Sequence, residues 1–467
     1  MTSKKWWRIT VSFSVGIVLQ SGGTMLVLLV LNLVHLAHSH VSLTFPPARK
    51  YDLDFLDTVR TSGLCGMEKG ANSTKIQANR SLKVQWHLGY PHRGSYRIRL
   101  FNEAKTVDSY LTPGEDFVAS TPTDAQEASV SIPDVECNDC TIQLERQALE
   151  WGENYRFHSC ADVAISRTFI EDCTGHGNPG SGSCSCDKLY HGPRCQFKDD
   201  CLSDSDCNNR GKCVEVEGSS LPNFQCFCEF GYFGRNCQKE SKLKTKEFVE
   251  SDYQKLATRG VEFLWQFKGD EVDAIVIADT QSYVAVGWKP KDLTTSCYEF
   301  PPDAGAYNSG ALHEMDCSDI VIGTARGSTS RIEDYYTRDR STPRLDSVYG
   351  GKSDLTGALG WEEDGKTYIR FTKPRRSTEK TDHTFGESLE IIWAFGQDTD
   401  FYRIDEIKYH GPNRGHETLH LRDDGSIHMP VAKETVILSV AVALIVLLII
   451  IQTIQNCSKG KLCCTAK

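Results

Sequence analysis

Leu82-Lys83-Val84-Gln85-Trp86-His87-Leu88 alternates apolar and polar side chains, the period-two signature of a strand with one buried face. Tyr96-Arg97-Ile98-Arg99-Leu100 repeats the alternation, with Pro91 and Gly94 between the runs and Pro113-Gly114 beyond them as turn residues. The pattern predicts an antiparallel β-sandwich over residues 40–170. Asn72-Ser-Thr and Asn79-Arg-Ser inside it are acceptors for N-linked glycans, so that stretch is expected on an exposed, secreted surface.

Just upstream, basic residues (Lys4, Lys5, Arg8) and apolar runs lead to Ala37-His38-Ser39-His40, with small residues at −3 and −1 of a cleavage site. Residues 1–39 read as a signal peptide, and cleavage would make His40 the first residue of the mature chain. An uncleaved signal anchor is the other reading, and under it His40 has no free amine. A terminal histidine offers its α-amine and an imidazole nitrogen to one metal; with a second imidazole they form the tetragonal nitrogen set that Cu(II) favours.

The chain has 467 residues, 39% of them hydrophobic, enough for two or three ordinary cores. A net charge of −10 with scattered lysine and arginine excludes a nucleic-acid binder. Fourteen of the 19 cysteines lie between Cys65 and Cys237, a density that belongs to an oxidising compartment. Cys65, Cys137, Cys140 and Cys160 make an even set whose pairing the sequence leaves open. Residues 435–454 (TVILSVAVALIVLLIIIQTI) carry no charge and match the length needed to cross ~30 Å of hydrocarbon. With Lys459 and Lys461 after it, this predicts a single-pass, type I plasma-membrane protein with an extracellular N-terminal region and a cytoplasmic tail at 455–467. Cys457, Cys463 and Cys464 in that tail are palmitoylation candidates.

Cys137-Asn-Asp-Cys140-Thr-Ile-Gln-Leu, then Tyr155-Arg-Phe157-His158-Ser-Cys160-Ala-Asp162-Val-Ala-Ile, resembles the closing strands of lytic polysaccharide monooxygenases and their copper-binding relatives. Pro91-His92-Arg93-Gly94-Ser95-Tyr96 resembles the strand entry that supplies the second imidazole of their histidine brace. The resemblance implies copper held by His40 and His92, with Phe157 in the axial position and hydrogen abstraction from polysaccharide as the chemistry. His87 competes with His92, although its place in an alternating run puts it on a sheet face.

Cys201-x5-Cys207-x5-Cys213-x12-Cys226-x-Cys228-x8-Cys237 matches the EGF-like module over residues 198–239, which implies bridges 201–213, 207–226 and 228–237. Cys173…Cys184-x-Cys186-x8-Cys195 resembles a reduced EGF-like unit over 171–197, bridged 173–184 and 186–195. Asp199-Asp200 is a weak calcium hint. Such small units depend on their bridges and read as spacers. Residues 240–257 read as a polar linker.

Residues 258–424 alternate through Val261–Phe267, Ala274–Ala278, Tyr283–Trp288, Asp319–Gly323, Thr367–Phe371 and Leu389–Gly396, which predicts a second sandwich. Met315-x-x-Ser-Asp-Ile-Val-Ile-Gly, Asp334-Tyr-Tyr, Pro343-x-x-Asp346, Phe371-x-Lys-Pro, Ile-Ile-Trp-Ala-Phe-Gly396 and Tyr409-His410-Gly resemble, in order, a DOMON domain. Haem-binding members clamp iron with a methionine and a late histidine, so the resemblance implies haem b between Met315 and His410. His313, His383 and His416 are alternatives or solvated residues. Cys297 and Cys317 are expected to bridge within the domain.

Together these readings predict a mainly β, cell-surface copper redox protein that oxidises polysaccharide with electrons passed through the haem domain. With no flavin domain or cytochrome b561 span in the sequence, the electrons are expected from an external donor. The reading of a different class is a non-catalytic adhesion or receptor protein, its sandwiches binding carbohydrate or an extracellular protein ligand and its EGF-like units spacing them.

Overall fold

The computed structural model describes residues 41–49, 64–65, 68–70, 72–88, 93–119, 125–149, 152, 154–180, 184–216, 222–300, 311–340, 342–397, 407, 409–427 and 446–452. The fold is mainly β.

The N-terminal module has nine strands: β1 (Val41–Phe45), β2 (Thr74–Gln77), β3 (Ser81–Leu88), β4 (Ser95–Phe101), β5 (Asp108–Tyr110), β6 (Val118–Ala119), β7 (Ala125–Ser131), β8 (Cys137–Gln147) and β9 (Arg156–Ser166). A three-stranded sheet in the order β1-β3-β7 faces a six-stranded sheet in the order β2-β9-β8-β4-β5, with β6 beside β4. All pairs are antiparallel except β2 with β9. Alternation along the strands sends Leu43, Val84, Trp86, Ile98, Leu100, Ile142, Leu144, Phe157 and Val163 into one core. Cys65 bonds to Cys160, and Cys137 to Cys140. Asn72 and Asn79 are exposed, Asn79 in a left-handed turn.

Short hairpins β10 (Gly177–Pro179) with β11 (Cys184–Cys186), and β12 (Tyr190–His191) with β13 (Phe197–Lys198), build the first cysteine-rich unit, bonded 173–184 and 186–195. The second contains β14 (Gly211–Glu215), β15 (Phe224–Glu229), β16 (Tyr232–Phe233) and β17 (Lys239–Glu240), bonded 201–213, 207–226 and 228–237. These bonds take the place of an apolar core in units of this size.

The C-terminal sandwich comprises β18 (Gln254–Ala257), β19 (Val261–Lys268), β20 (Glu271–Ala278), β21 (Val284–Pro290), β22 (Ser318–Arg326), β23 (Thr329–Thr337), β24 (Arg344–Leu345), β25 (Gly357–Glu363), β26 (Lys366–Pro374), β27 (Ser388–Phe395) and β28 (Arg414–His420). A five-stranded sheet, β18-β19-β20-β26-β25, covers an eight-stranded one, β14-β15-β23-β22-β21-β27-β28 with β24 beside β23. Trp265, Phe263, Phe371, Phe385, Val286, Trp288, Val321 and Ile391 fill the space between them. Cys297 bonds to Cys317.

Two features depart from the reading of separate beads on a linker. The EGF-like hairpin β14–β15 belongs to the sandwich's own sheet, because Cys228 and Glu229 pair with Ser330 and Thr329 of β23. The polar stretch 240–257 is packed rather than free: Ser241 Oγ accepts the Ala358 N–H at 3.1 Å, and Leu243 lies against Leu359 and Trp361. Among the described residues no helix is long and apolar enough to cross a membrane. Of the apolar run 435–454, residues 446–452 are described as helical, with Val446–Ile451 exposed, and the rest lies outside the described residues.

Candidate functional site

His40 and His92 lie outside the described residues, but the strands next to them in sequence are described. β1 starts at Val41 opposite Leu88, the last residue of β3, and β4 starts at Ser95. The chain therefore leaves one end of the three-stranded sheet at both places. At that end Tyr96, Arg146 and Phe157 form one cross-strand row on the inner face of the larger sheet. Phe157 is buried and meets Tyr155 edge-on at 5.4 Å, while Trp86 closes over Tyr96 with ring centroids 4.9 Å apart. Arg146 is fully buried in this row, its Nη1 donating to the Ser95 carbonyl at 3.3 Å, at the first residue of β4. His87 is buried on the opposite face of β3 from Trp86, in register with Ser42. Asp162 of the C-A-D-V run serves the fold, since its Oδ1 accepts from Arg49 Nε and its Oδ2 from Gly70 N–H, each at 2.8 Å.

In the C-terminal sandwich the face of the eight-stranded sheet turned away from the core is apolar. Tyr283, Ala285, Ile320 and Ile322 form a second cluster there, with Tyr335, Ile392 and Ile407 against it. Gly287 lies in the middle of this face, and a Cβ on it would meet Ile320 Cγ1 at 2.7 Å and Ile392 Cγ1 at 3.1 Å. Met315 is held at one end. The Nζ of Lys289, on β21, donates to the carbonyls of His313, Glu314 (2.8 Å) and Asp316 (3.0 Å), which pins the turn carrying Met315. Lys289 is aligned with Glu390, its carboxylate 3.6 Å away. Burial pushes the Lys289 pKa down against the pull of Glu390, Asp316 and Glu314.

His410 lies at the other end, just before β28. There Ala285, Ala394 and Arg414 align across β21, β27 and β28, four residues along from the Lys289–Glu390 row and so about 13 Å away. His410 Nδ1 contacts the Gly411 carbonyl at 3.1 Å, and burial pushes its pKa down to about 4. The ring is therefore neutral at pH 7. With Nδ1 as the donor to that carbonyl, Nε2 keeps its lone pair, the form in which imidazole ligates iron.

The alternative histidines are otherwise engaged. His383 Nε2 lies 2.7 Å from the Cys317 carbonyl, and burial lowers its pKa; it is a half-buried structural residue rather than a solvated one. His416 is exposed, its nitrogens 3.8 Å from Glu314 and 3.9 Å from Glu390. Asp199 and Asp200, the weak calcium hint, are engaged mainly by protein donors. Asp199 Oδ1 accepts from the Asn223 and Phe224 N–H groups and Oδ2 lies 3.3 Å from His191, while Asp200 Oδ1 accepts from Arg235 and its Oδ2 from Arg331. Lys289 belongs to no motif in the sequence; its only signal there is a lysine on the outward face of an otherwise apolar run.

The family model described as the DOMON domain matches residues 309–396. The chain is 38% identical over 58 residues to the neurogenic locus notch homolog protein 1 of Xenopus laevis, covering 12% of this chain and 2% of the relative. It is 36% identical over 81 residues to the protein lin-12 of Caenorhabditis elegans (17% and 5%), and 30% identical over 104 residues to the basement membrane proteoglycan of the same organism (22% and 3%). The chain thus spans only 2–5% of the length of these relatives. Among solved structures, a chitin binding domain from Burkholderia pseudomallei aligns with a TM-score of 0.21 at 9% identity, over 27% of this chain and all of that one. An AA10 lytic polysaccharide monooxygenase from Streptomyces lividans aligns with a TM-score of 0.19 at 12% identity, over 27% and 99%. At such scores neither likeness bears on chemistry. Similarity to Notch-type EGF-like proteins and eight disulfides among the described residues identify an extracellular or cell-surface protein.

Proposed function

We propose that this chain is a membrane-anchored extracellular redox protein whose C-terminal sandwich holds haem b between Met315 and His410 and whose N-terminal module holds copper through His40 and His92. The observation that carries the reading is His410, kept neutral at pH 7 at one end of an apolar sheet face while Lys289 tethers Met315 at the other. Their donor set fits the group: a thioether and a neutral imidazole raise a haem potential and suit one-electron transfer. Ile320, Ile322 and Ile392 would exclude water from the ring face. The absence of side-chain bulk at Gly287 lets a flat ligand approach the strand.

In the N-terminal module, copper would be held by His40 and His92, with Phe157, Tyr96, Trp86 and buried Arg146 lining that end of the sandwich. Bound there, copper would supply redox activation of O2 or peroxide for attack on a polysaccharide C–H bond, chemistry that acid–base side chains do not provide. The electrons would come from an external donor.

The test is the ectodomain secreted from full-length chain cleaved at its own signal. Its N-terminal residue is expected to be His40, with one copper per chain and a tetragonal EPR spectrum lost in His92→Ala. A Soret band is expected, lost in Met315→Ala and His410→Ala. An N-terminus elsewhere ends the copper reading, and an ectodomain without a Soret band after haem reconstitution ends the haem reading.

A non-catalytic adhesion protein is the second reading. The pairing of β15 with β23, which joins the EGF-like unit to the sandwich's sheet, favours it. It predicts neither copper nor haem on the purified ectodomain.

A further inference from the structure

The turn that carries Met315 contains a residue in an unfavourable backbone state. Cys317 has φ at +55°, the left-handed region that side chains with a Cβ seldom enter, and such residues persist only where their surroundings over-determine them. Three ties do so here. The Cys317 N–H donates to the Arg338 carbonyl at 3.3 Å, its sulfur is bonded to Cys297, and its carbonyl lies 2.7 Å from His383 Nε2. A carbonyl oxygen only accepts, so Nε2 carries the proton of that bond. Lys289 takes the carbonyls of His313, Glu314 and Asp316, and His383 takes the next one from a segment 66 residues away in sequence.

His383 is itself fixed by its surroundings. Its N–H donates to Asp319 Oδ2 at 3.0 Å, and its carbonyl accepts the Trp288 indole N–H at 2.8 Å. Asp382, the residue before it, and Asp319 share the buried Lys373 ammonium, at 2.7 and 2.8 Å, with Asp334 as a third partner at 2.9 Å. Phe385, two residues on, is buried against Trp288 with ring centroids 5.4 Å apart. An imidazole anchored through its own backbone and through both flanks loses little further freedom when it bonds the turn, so a single hydrogen bond becomes an effective constraint.

We propose that His383 is a positioning residue for Met315: through the Cys317 carbonyl it holds the left-handed kink that sets where the thioether stands at the end of the apolar sheet face. The inference rests on the reading of Met315 as a haem ligand. A thioether is a weak, uncharged ligand, and its hold on iron depends on the protein keeping the sulfur in place.

The test compares the ectodomain with His383→Leu, which removes the donor, and His383→Gln, whose amide N–H can reach the same carbonyl; His383→Phe stands in if His383→Leu is not secreted. Amide exchange is read without haem at Asp316 and Cys317, whose N–H groups donate to the His313 and Arg338 carbonyls. His383→Leu is expected to speed exchange there about tenfold, the factor that losing one hydrogen bond gives, and His383→Gln to restore most of the protection. After haem reconstitution, carbon monoxide competes with the thioether for reduced iron. The parent and His383→Gln should resist it, whereas His383→Leu should bind it and show a lower reduction potential, changes that lost stability alone does not produce. Parent-like exchange in His383→Leu, or a carbon monoxide resistance and potential equal to the parent's, overturns the proposal. So does His383→Gln behaving as His383→Leu does. A parent with no Soret band counts against the haem reading, and exchange then decides this inference by itself.

Discussion

Arg331 on β23 donates from Nη1 to Asp200 Oδ2 at 2.9 Å, and this pair ties the C-terminal sandwich to the EGF-like unit before it. Their side chains are 11% and 4% exposed. Asp200 Oδ1 accepts from Arg235 within its own unit at 2.6 Å. Its neighbour Asp199 lies against His191 of the preceding unit, and Arg194 of that unit donates to the Lys75 carbonyl of the N-terminal module at 2.9 Å. Consecutive modules thus meet through polar contacts, the Arg331–Asp200 pair buried and the Arg194–Lys75 bond exposed, in addition to the β15–β23 pairing. For a redox protein this fixes the separation of the two candidate centres; for an adhesion protein it fixes the spacing of two binding faces.

Arg331→Met removes one partner of a buried ion pair and leaves Asp200 with Arg235 alone. Losing one member of such a pair costs about 3 kcal/mol, near the lower limit because a second cation remains. Denaturant unfolding of the ectodomain should show a lower midpoint, with limited proteolysis opening first at residues 213–230. An unchanged midpoint would mean that the β15–β23 pairing carries the junction unaided.

Asp273 sets the acid limit of the sandwich. It is buried and accepts from Arg370 Nε (on Oδ1, 3.0 Å), Tyr253 Oη (2.9 Å) and Lys268 Nζ (2.8 Å). Burial raises its pKa, but Arg370 and Lys268 outweigh it and hold the carboxyl below its ordinary value. A depressed carboxylate contributes stability above the unfolded value of about 3.9, lost as pH falls from there through the folded value. Tyr253 works in the opposite direction: burial, then Asp273, pushes its hydroxyl up to about 12, so its contribution is present below about 10 and lost as pH rises towards 12. Thermal midpoints from pH 2 to 12 should fall at both ends. Asp273→Asn is expected to flatten the acid fall and Tyr253→Phe the alkaline one.

Gly177 and Gly211 occupy matching places in the two cysteine-rich units. A Cβ on Gly177 would lie 2.5 Å from the Ser185 carbonyl oxygen and 2.8 Å from Cys195 Sγ; on Gly211 it would lie 2.4 Å from the Phe227 oxygen and 2.7 Å from Cys237 Sγ. The obstacles are backbone and a disulfide sulfur, so neither can swing aside. Gly211→Ala should therefore cost about 1–3 kcal/mol, read as lower secretion and a lower unfolding midpoint. Gly177→Ala should do the same in the first unit, and a neutral result at either position would show that the hairpins open without strain.

Much of this was legible in local pattern. Period two located the strands, because alternation is dictated by the sheet itself, as at Leu82–Leu88. Asp319, Asp334, Asp346 and Lys373, each in a different DOMON-like motif, turn out to be one buried electrostatic cluster, yet nothing in their spacing says that they meet, since four separate segments bring them together. The join of Cys228 to Ser330 was equally hidden: edge pairing spends backbone groups, which every residue has. Ser241, Leu243 and Tyr253 look like linker residues in a charged stretch and bury only because Leu359, Trp361 and Leu264 are there to receive them.

Lys289→Met separates the scaffold of the Met315 turn from its chemistry. Lys289 is 2% exposed, and its ammonium serves three carbonyls, those of His313, Glu314 and Asp316. Methionine keeps most of the side-chain volume but donates nothing, so the acceptors lose charge-assisted bonds whose removal costs about 1.5–3 kcal/mol each at most, partly recovered because a buried cation no longer needs desolvation. A net loss of about 2 kcal/mol is expected on that balance. The informative readout is local: amide hydrogen exchange should speed up at residues 313–318 while β19 and β20, on the other sheet, keep their protection until global unfolding. If haem is bound, the Soret band should survive Lys289→Met, because Met315 itself is intact, but shift or broaden as the sulfur loses its fixed position. Unchanged exchange at 313–318 would show that the Cys297–Cys317 bond, not Lys289, holds the turn.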